Sequence, residues 1–153
     1  MPPPELEEWS IPVAFHFGVK IDGQQISFSE VQGIECELEA DPIKSGGDSS
    51  NCYFIPRNRK FSDLVLKRGF CKKEDPFFKW CKSILTVELS KKCIDLKNIE
   101  VVLLDENDSP LTTWSFKYAY PYKWKLGAFD AMKNEIAIET VSLKYSSFDV
   151  VKG

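Results

Sequence analysis

The stretch GIECELEAD, residues 33–41, predicts a β-strand with one apolar face and one charged face. Its apolar members alternate without interruption with its acidic members, which are Glu35, Glu37, Glu39 and Asp41. A two-residue period of this kind is typical of a half-buried strand. We name the four carboxylates the acidic ribbon. Because like charges on one strand face repel, the ribbon needs an explanation outside the strand itself.

Alternating or continuous runs of apolar residues predict further strands on both sides of the ribbon. The segments are 13–21, 26–28, 52–56, 63–69, 99–104, 114–124 and 135–145. The run 99–104 is almost continuously apolar, so we expect it to be buried on both faces. The last segment changes its alternation near Glu139 and Thr140, which indicates a bulge or a bend there.

The segment 114–124 carries an aromatic residue at every second position. Such a ladder suits either a surface on which a ligand stacks or the wall of a hydrophobic core, and we favour the core. Pro121 indicates an edge or a bulge towards the end of this strand. Residues 41–51, DPIKSGGDSSN, are rich in residues that favour turns, and we expect a projecting loop.

One helix is predicted after Asp75, a good N-cap residue, with Pro76 at its first position. One apolar stripe recurs at helical spacing and should pack on a sheet; its residues are Phe77, Trp80, Cys81, Ile84 and Leu85. The fold class is therefore mainly β, a β-barrel or sandwich with one flanking α-helix. We expect an extended N-terminal arm at 1–11, because Pro2, Pro3 and Pro4 disfavour regular structure, and a single domain at 12–153.

Composition limits the classes of function. The chain has 153 residues, 43% of them hydrophobic, and a net charge of −3, which fits one globular domain. Its basic residues are scattered, so no nucleic-acid-specific site is predicted. We see no signal-peptide pattern and no membrane-spanning run, and we expect synthesis in the cytoplasm. The five cysteines are widely spaced, and we expect reduced, mostly buried thiols.

We predict no enzymatic activity, and no catalytic, metal or cofactor site. His16 is the single histidine and has no nucleophile motif beside it. Gly46 and Gly47 lack the lysine of a phosphate-binding loop. The acidic ribbon is a poor calcium site, because alternate side chains on a strand run parallel instead of converging.

Several motifs resemble a known family in the same order and at similar separation. They are VKIDG (19–23), FSEVQGIECE (28–37), RKFSDLVLKRG (59–69), the Trp80 helix, and LTTWSFKYAYPYKWKLGAFDAMKNEIAIETVSLKY (111–145). Together they resemble the inner-tube proteins of contractile tails, which include phage tail tubes and extracellular contractile injection particles. The family is akin to the haemolysin-coregulated tube protein of type VI secretion.

The resemblance implies a structural subunit that forms hexameric rings, stacked into a hollow tube inside a contractile sheath. The implied partners are further copies of this chain, sheath protein, baseplate and tube-initiator proteins, and a lumenal cargo. The particle would be phage tail-like, either released or membrane-anchored. Two alternatives stay open, namely a baseplate-proximal initiator or cap, and a monomeric β-barrel that binds a small ligand.

The resemblance also suggests places for the residues singled out above. The acidic ribbon would line the lumen; its alternative place is a ring interface opposite lysines such as Lys67 or Lys123. The loop would form ring-to-ring contacts through Pro42, Ile43, Lys44, Ser45, Gly46, Gly47 and Asp48.

Overall fold

The computed structural model describes residues 15–44, 52–69, 75–86, 94–127, 132 and 137–151. Within them the protein is mainly β with one helix, which confirms the predicted fold class. The strands are β1 His16–Ile21, β2 Gln24–Phe28, β3 Glu30–Gln32, β4 Cys36–Lys44, β5 Cys52–Phe61, β6 Leu64–Gly69, β7 Lys97–Leu104, β8 Pro110–Leu126, β9 Ile138–Lys144 and β10 Ser147–Val151; the helix is α1 Pro76–Leu85. The predicted arm at 1–11 lies outside the described residues.

Eight strands form one antiparallel sheet in the order β2-β1-β7-β8-β9-β6-β3, and β10 also pairs with β8. The end strands β2 and β3 are consecutive segments of the chain, separated by Ser29. Each pairs with a different neighbour, β2 with β1 and β3 with β6. The sheet is therefore not closed into a barrel by a backbone ladder.

The helix packs its apolar stripe into the core of this sheet. Asp75 caps it by accepting a hydrogen bond from the backbone N–H of Phe78 at 2.7 Å, and Pro76 occupies the first turn. Phe77, Trp80 and Cys81 are buried, whereas Ile84 is half-buried and Leu85 is exposed. Burial raises the pKa of the Cys81 thiol to about 12.

We expected the aromatic ladder in β8 to form a continuous wall of the core, and this prediction is wrong. Phe116 is buried, but Tyr118 has a left-handed backbone (φ 55°) and is 58% exposed, and Ala119 takes the next core position. Tyr122 and Trp124 are exposed as well. The irregular backbone explains the error, because it reverses which alternate positions face the core.

Two smaller expectations also need correction. The bulge predicted near Glu139 in β9 lies instead in β8, where the register with β9 shifts between Pro121 and Lys123. Among the cysteines that the structure describes, Cys81 is buried, but Cys36 and Cys52 are exposed. Both exposed thiols lie on the separate hairpin described next, which has no core of its own.

Candidate assembly surface: the β4–β5 hairpin

Strands β4 and β5 form a two-stranded sheet separate from the main one. Pro42 lies opposite Phe54, Ile43 opposite Tyr53, and the backbone of Lys44 opposite Cys52. Residues 41–44 are therefore strand, and the expectation that they begin a loop is wrong, because cross-strand partners extend the ladder past Pro42. Ser45, Gly46, Gly47 and Asp48 lie outside the described residues.

The end of the hairpin farthest from the sheet is apolar and exposed. We name Ile43, Tyr53, Phe54 and Ile55 the hairpin tip; their exposed fractions are 44%, 62%, 65% and 50%. The cross-strand pair Ile43 and Tyr53 lies on one face of the hairpin, and Phe54 lies on the other. Exposed apolar groups in this number make the hairpin tip a candidate protein–protein contact. The sequence already contains the signal, in the apolar run CYFIP.

The base of the hairpin is held by a close backbone crossing. Gly33 precedes β4 with φ +86°, and a Cβ at this position would overlap the backbone carbonyl oxygen of Asp63. Glycine is required here both for the left-handed backbone and for the approach of the second chain segment. The crossing sets where the hairpin leaves the sheet.

Side-chain bonds at the same base join the hairpin to β8 and β9. Asp63 forms an ion pair with Lys144 at 2.7 Å and accepts a hydrogen bond from the Tyr122 hydroxyl. The bond from Lys144, followed in size by the bond from Tyr122, lowers the pKa of the Asp63 carboxyl. The Tyr145 hydroxyl donates to the carbonyl of Ser62 at 2.6 Å. These bonds connect the end of β5 to the main sheet.

Glu37, Glu39 and Asp41 of the acidic ribbon lie on β4, whereas Glu35 precedes the strand and accepts a hydrogen bond from the Ser62 hydroxyl. Strand β5 places cations beside the ribbon. Lys60 lies directly opposite Glu37, and Arg57 reaches Asp41 at 3.5 Å. The prediction of a face that carries only carboxylates therefore holds for strand β4 but not for the hairpin as a whole. The basic run RNRK at 57–60 carried this information, but the pairing register was needed to bring it opposite the ribbon.

A buried polar network joins the helix to the main sheet. The Arg68 guanidinium pairs with Glu139 at 3.0 Å and with Asp75, the helix N-cap. Glu139 also accepts a hydrogen bond from the Trp124 indole at 2.7 Å. The guanidinium carbon lies 5.2 Å from the ring centre of Phe28, a cation–π distance. The motifs that resemble the tube proteins contain Arg68, Trp124 and Glu139. The buried network therefore explains structurally why these three residues occur in those motifs.

Across the described ranges, no cluster of three His, Cys, Asp or Glu side chains could hold a metal ion. His16 is half-buried and lies 2.8 Å from the exposed carboxylate of Asp108. Within the same ranges, no helix is both long enough and apolar enough to cross a membrane.

The family model for the T4-like virus tail tube protein gp19 matches residues 13–149, almost the whole chain. The chain belongs to this tail tube family. A search of the curated proteins finds no match. The match to the family model confirms the resemblance that the motifs indicated.

Several solved structures share the fold of this chain. A chain of the sheath–tube complex of the PVC extracellular contractile injection system, in its extended state, superposes with a TM-score of 0.78 at 22% identity, covering 96% of this chain and 95% of that one. A chain of the anti-feeding prophage tube-terminating cap gives 0.74 at 21% identity, covering 90% and 88%. Hcp1 from Flavobacterium johnsoniae gives 0.60 at 15% identity, covering 90% and 96%. At these identities the likeness shows a shared fold.

Proposed function

We propose that this tail tube protein is the inner-tube subunit of a contractile injection apparatus. Its copies form hexameric rings, and the rings stack into a hollow tube that a surrounding sheath drives forward. The role is structural and not enzymatic. Membership of the tail tube family supports the proposal, as does the shared fold with chains of a sheath–tube complex and of Hcp1.

The observation that carries the proposal is the unpartnered hairpin. Within the described residues, β4 and β5 pair with each other and with no other strand. A two-stranded hairpin alone is at best marginally stable in water, and open strand edges invite pairing with another chain. The apolar hairpin tip lies on both faces, so burying it takes contacts on both sides. Neighbouring copies in a ring and in the next ring supply such contacts.

The ring-to-ring contacts follow from the same geometry. Pro42, Ile43 and Lys44 end the first strand of the hairpin, and Ser45, Gly46, Gly47 and Asp48 continue from it. We assign this segment to the contact between successive rings.

Sheath, baseplate and initiator proteins are the remaining partners we propose. The similar structures come from a PVC sheath–tube complex, an anti-feeding prophage baseplate and a tube-terminating cap. A released, phage tail-like particle that conducts a cargo through its lumen fits these assemblies. Because baseplate and cap chains share the fold almost as well, with TM-scores of 0.73 and 0.74, an initiator or cap role is the second candidate.

The monomeric ligand-binding barrel is less well supported. Phe116 contacts Tyr145 and Phe148 at ring-centre distances of 4.9 and 5.4 Å, so aromatic rings fill this part of the interior with each other. The tail tube family further favours assembly over small-molecule binding.

Electron microscopy and light scattering of the purified chain test the proposal. We expect rings or tubes from the wild type, and long tubes favour the main subunit over an initiator or cap. Phe54→Ser should give a folded monomer, because Phe54 is 65% exposed on the hairpin tip. Leu111→Ser is the matched control, since Leu111 is 49% exposed on β8 away from the hairpin, and it should assemble. A wild-type chain that stays monomeric at high concentration would refute the proposal.

A further inference from the structure

A cavity lined by lysines opens on the outer face of the main sheet. It measures about 280 Å³, and its lining residues, which we name the lysine cavity, are Lys67, Lys123, Lys125, Thr140 and Ser142. Thr140 lies opposite both Lys67 and Lys125, and Ser142 lies opposite Lys123. Cross-strand partners share a face, so the lysines and hydroxyls of three strands converge on one patch.

The lysine cavity carries more positive charge than its neighbouring carboxylates neutralise. Lys67 pairs with Glu30 at 3.3 Å. Among the described residues, neither Lys123 nor Lys125 has a carboxylate within ion-pair distance. Three lysines against one carboxylate leave two positive charges in excess, and the two hydroxyls beside them can donate hydrogen bonds to an anion.

The acidic ribbon has the opposite imbalance. On their own face of the hairpin the four carboxylates are accompanied by Lys60 and Arg57, which leaves two negative charges in excess; Arg59 lies opposite Leu38 on the other face. No ribbon carboxylate forms an ion pair with a lysine of its own chain's cavity. The three ribbon carboxylates on β4 occupy alternate strand positions, as Lys123 and Lys125 do on β8, so both sets repeat at roughly 6–7 Å.

We propose that the lysine cavity is the docking site for the acidic ribbon of a second copy of this chain. The excess charges are equal and opposite, and the two surfaces share one repeat distance. Docking places the ribbon at a contact between copies instead of in the lumen, the place that the resemblance suggests. The inference rests on the proposed function, because it needs copies that assemble, and it names the surfaces that meet.

Charge reversal in the full-length chain tests this pairing. Lys123→Glu with Lys125→Glu, the cavity variant, should repel the ribbon and raise the concentration needed for assembly at low salt by on the order of tenfold. Glu37→Lys with Glu39→Lys, the ribbon variant, should do the same. An equimolar mixture of the two variants should assemble, because each then offers a surface opposite in charge to the other's.

Two further variants keep the test decisive. Lys79→Glu with Lys117→Glu makes the same charge change at exposed positions outside the cavity and should assemble like the wild type. If circular dichroism shows that the cavity variant does not fold, Lys123→Gln with Lys125→Gln replaces it and should weaken assembly at low salt.

The outcomes separate this inference from the proposed function. Normal assembly of the folded cavity variant overturns the docking and leaves the tube subunit standing. Loss of assembly that the mixture does not restore also overturns it, because the lysines then meet another partner. A wild-type chain that forms no ring or tube overturns both.

Discussion

Replacement of Arg68 by methionine should cost far more stability than any surface ion pair could account for. The Arg68 side chain is 9% exposed and lies between two carboxylates, of which Glu139 is 4% exposed. Methionine is similar in length but has no guanidinium, so it loses the cation–π contact with Phe28 and leaves Glu139 buried without its cation. Removing one partner of a buried pair typically costs 3–5 kcal/mol, so we expect a loss of about 4 kcal/mol.

Thermal and chemical denaturation of a monomeric background, such as Phe54→Ser, measure this loss without interference from assembly. At roughly 2–4 °C per kcal/mol for a chain of this size, the melting temperature should fall by about 8–16 °C. Lys67→Met is the matched control on the same strand. It breaks only a solvent-screened pair with Glu30 and should cost little stability.

A second substitution tests the cause directly. Adding Glu139→Gln to Arg68→Met removes the stranded charge and should recover much of the loss, since a neutral amide costs less to bury than a carboxylate. If Arg68→Met costs no more than Lys67→Met, the network does not hold the helix against the sheet as the geometry indicates.

The other predictions concern the hairpin base and the helix. Gly33→Ala should destabilise the protein more than Gly23→Ala in denaturation experiments, because both glycines have positive φ but only Gly33 is closely approached by Asp63; equal losses would contradict the crossing. The lowered pKa of Asp63 means that its stabilising contribution is present above the ordinary value of 3.8 and is lost as pH falls through the folded-state pKa. Between pH 5 and pH 2 the melting temperature should therefore decrease less with falling pH for Asp63→Asn than for the wild type. An identical decrease would argue against the bond to Lys144. Trp80→Ala should cost about 3–5 kcal/mol through the cavity it leaves, since Trp80 is 4% exposed; an unchanged melting temperature would show that the stripe is not packed.

Local pattern predicted the elements whose geometry is regular. The helix begins after Asp75 because a capping side chain and a following proline act within a few residues of each other. The run 99–104 lies in β7, where Ile99, Val101, Val102 and Leu104 are buried. The family resemblance also came from residues alone, because its motifs keep their order along the chain.

Local pattern failed where a residue's environment depends on another strand. Tyr118 alternates with Phe116 in sequence, yet a single left-handed residue reverses the alternation beyond it. Pro42 reads as the start of a loop because its partner Phe54 is distant along the chain.

The sequence by itself determined the fold class, the helix and the family, since periodicity, capping and motif order are local properties of the chain. Only the tertiary structure decided which charges meet. Arg68 binds Glu139, which is 71 positions away along the chain. Lys67, Lys123 and Lys125 lie on one face of the sheet. The physical reason is that strand pairing is non-local: register selects the neighbours of a side chain, and a shift of one residue would turn each of them to the opposite face of the sheet.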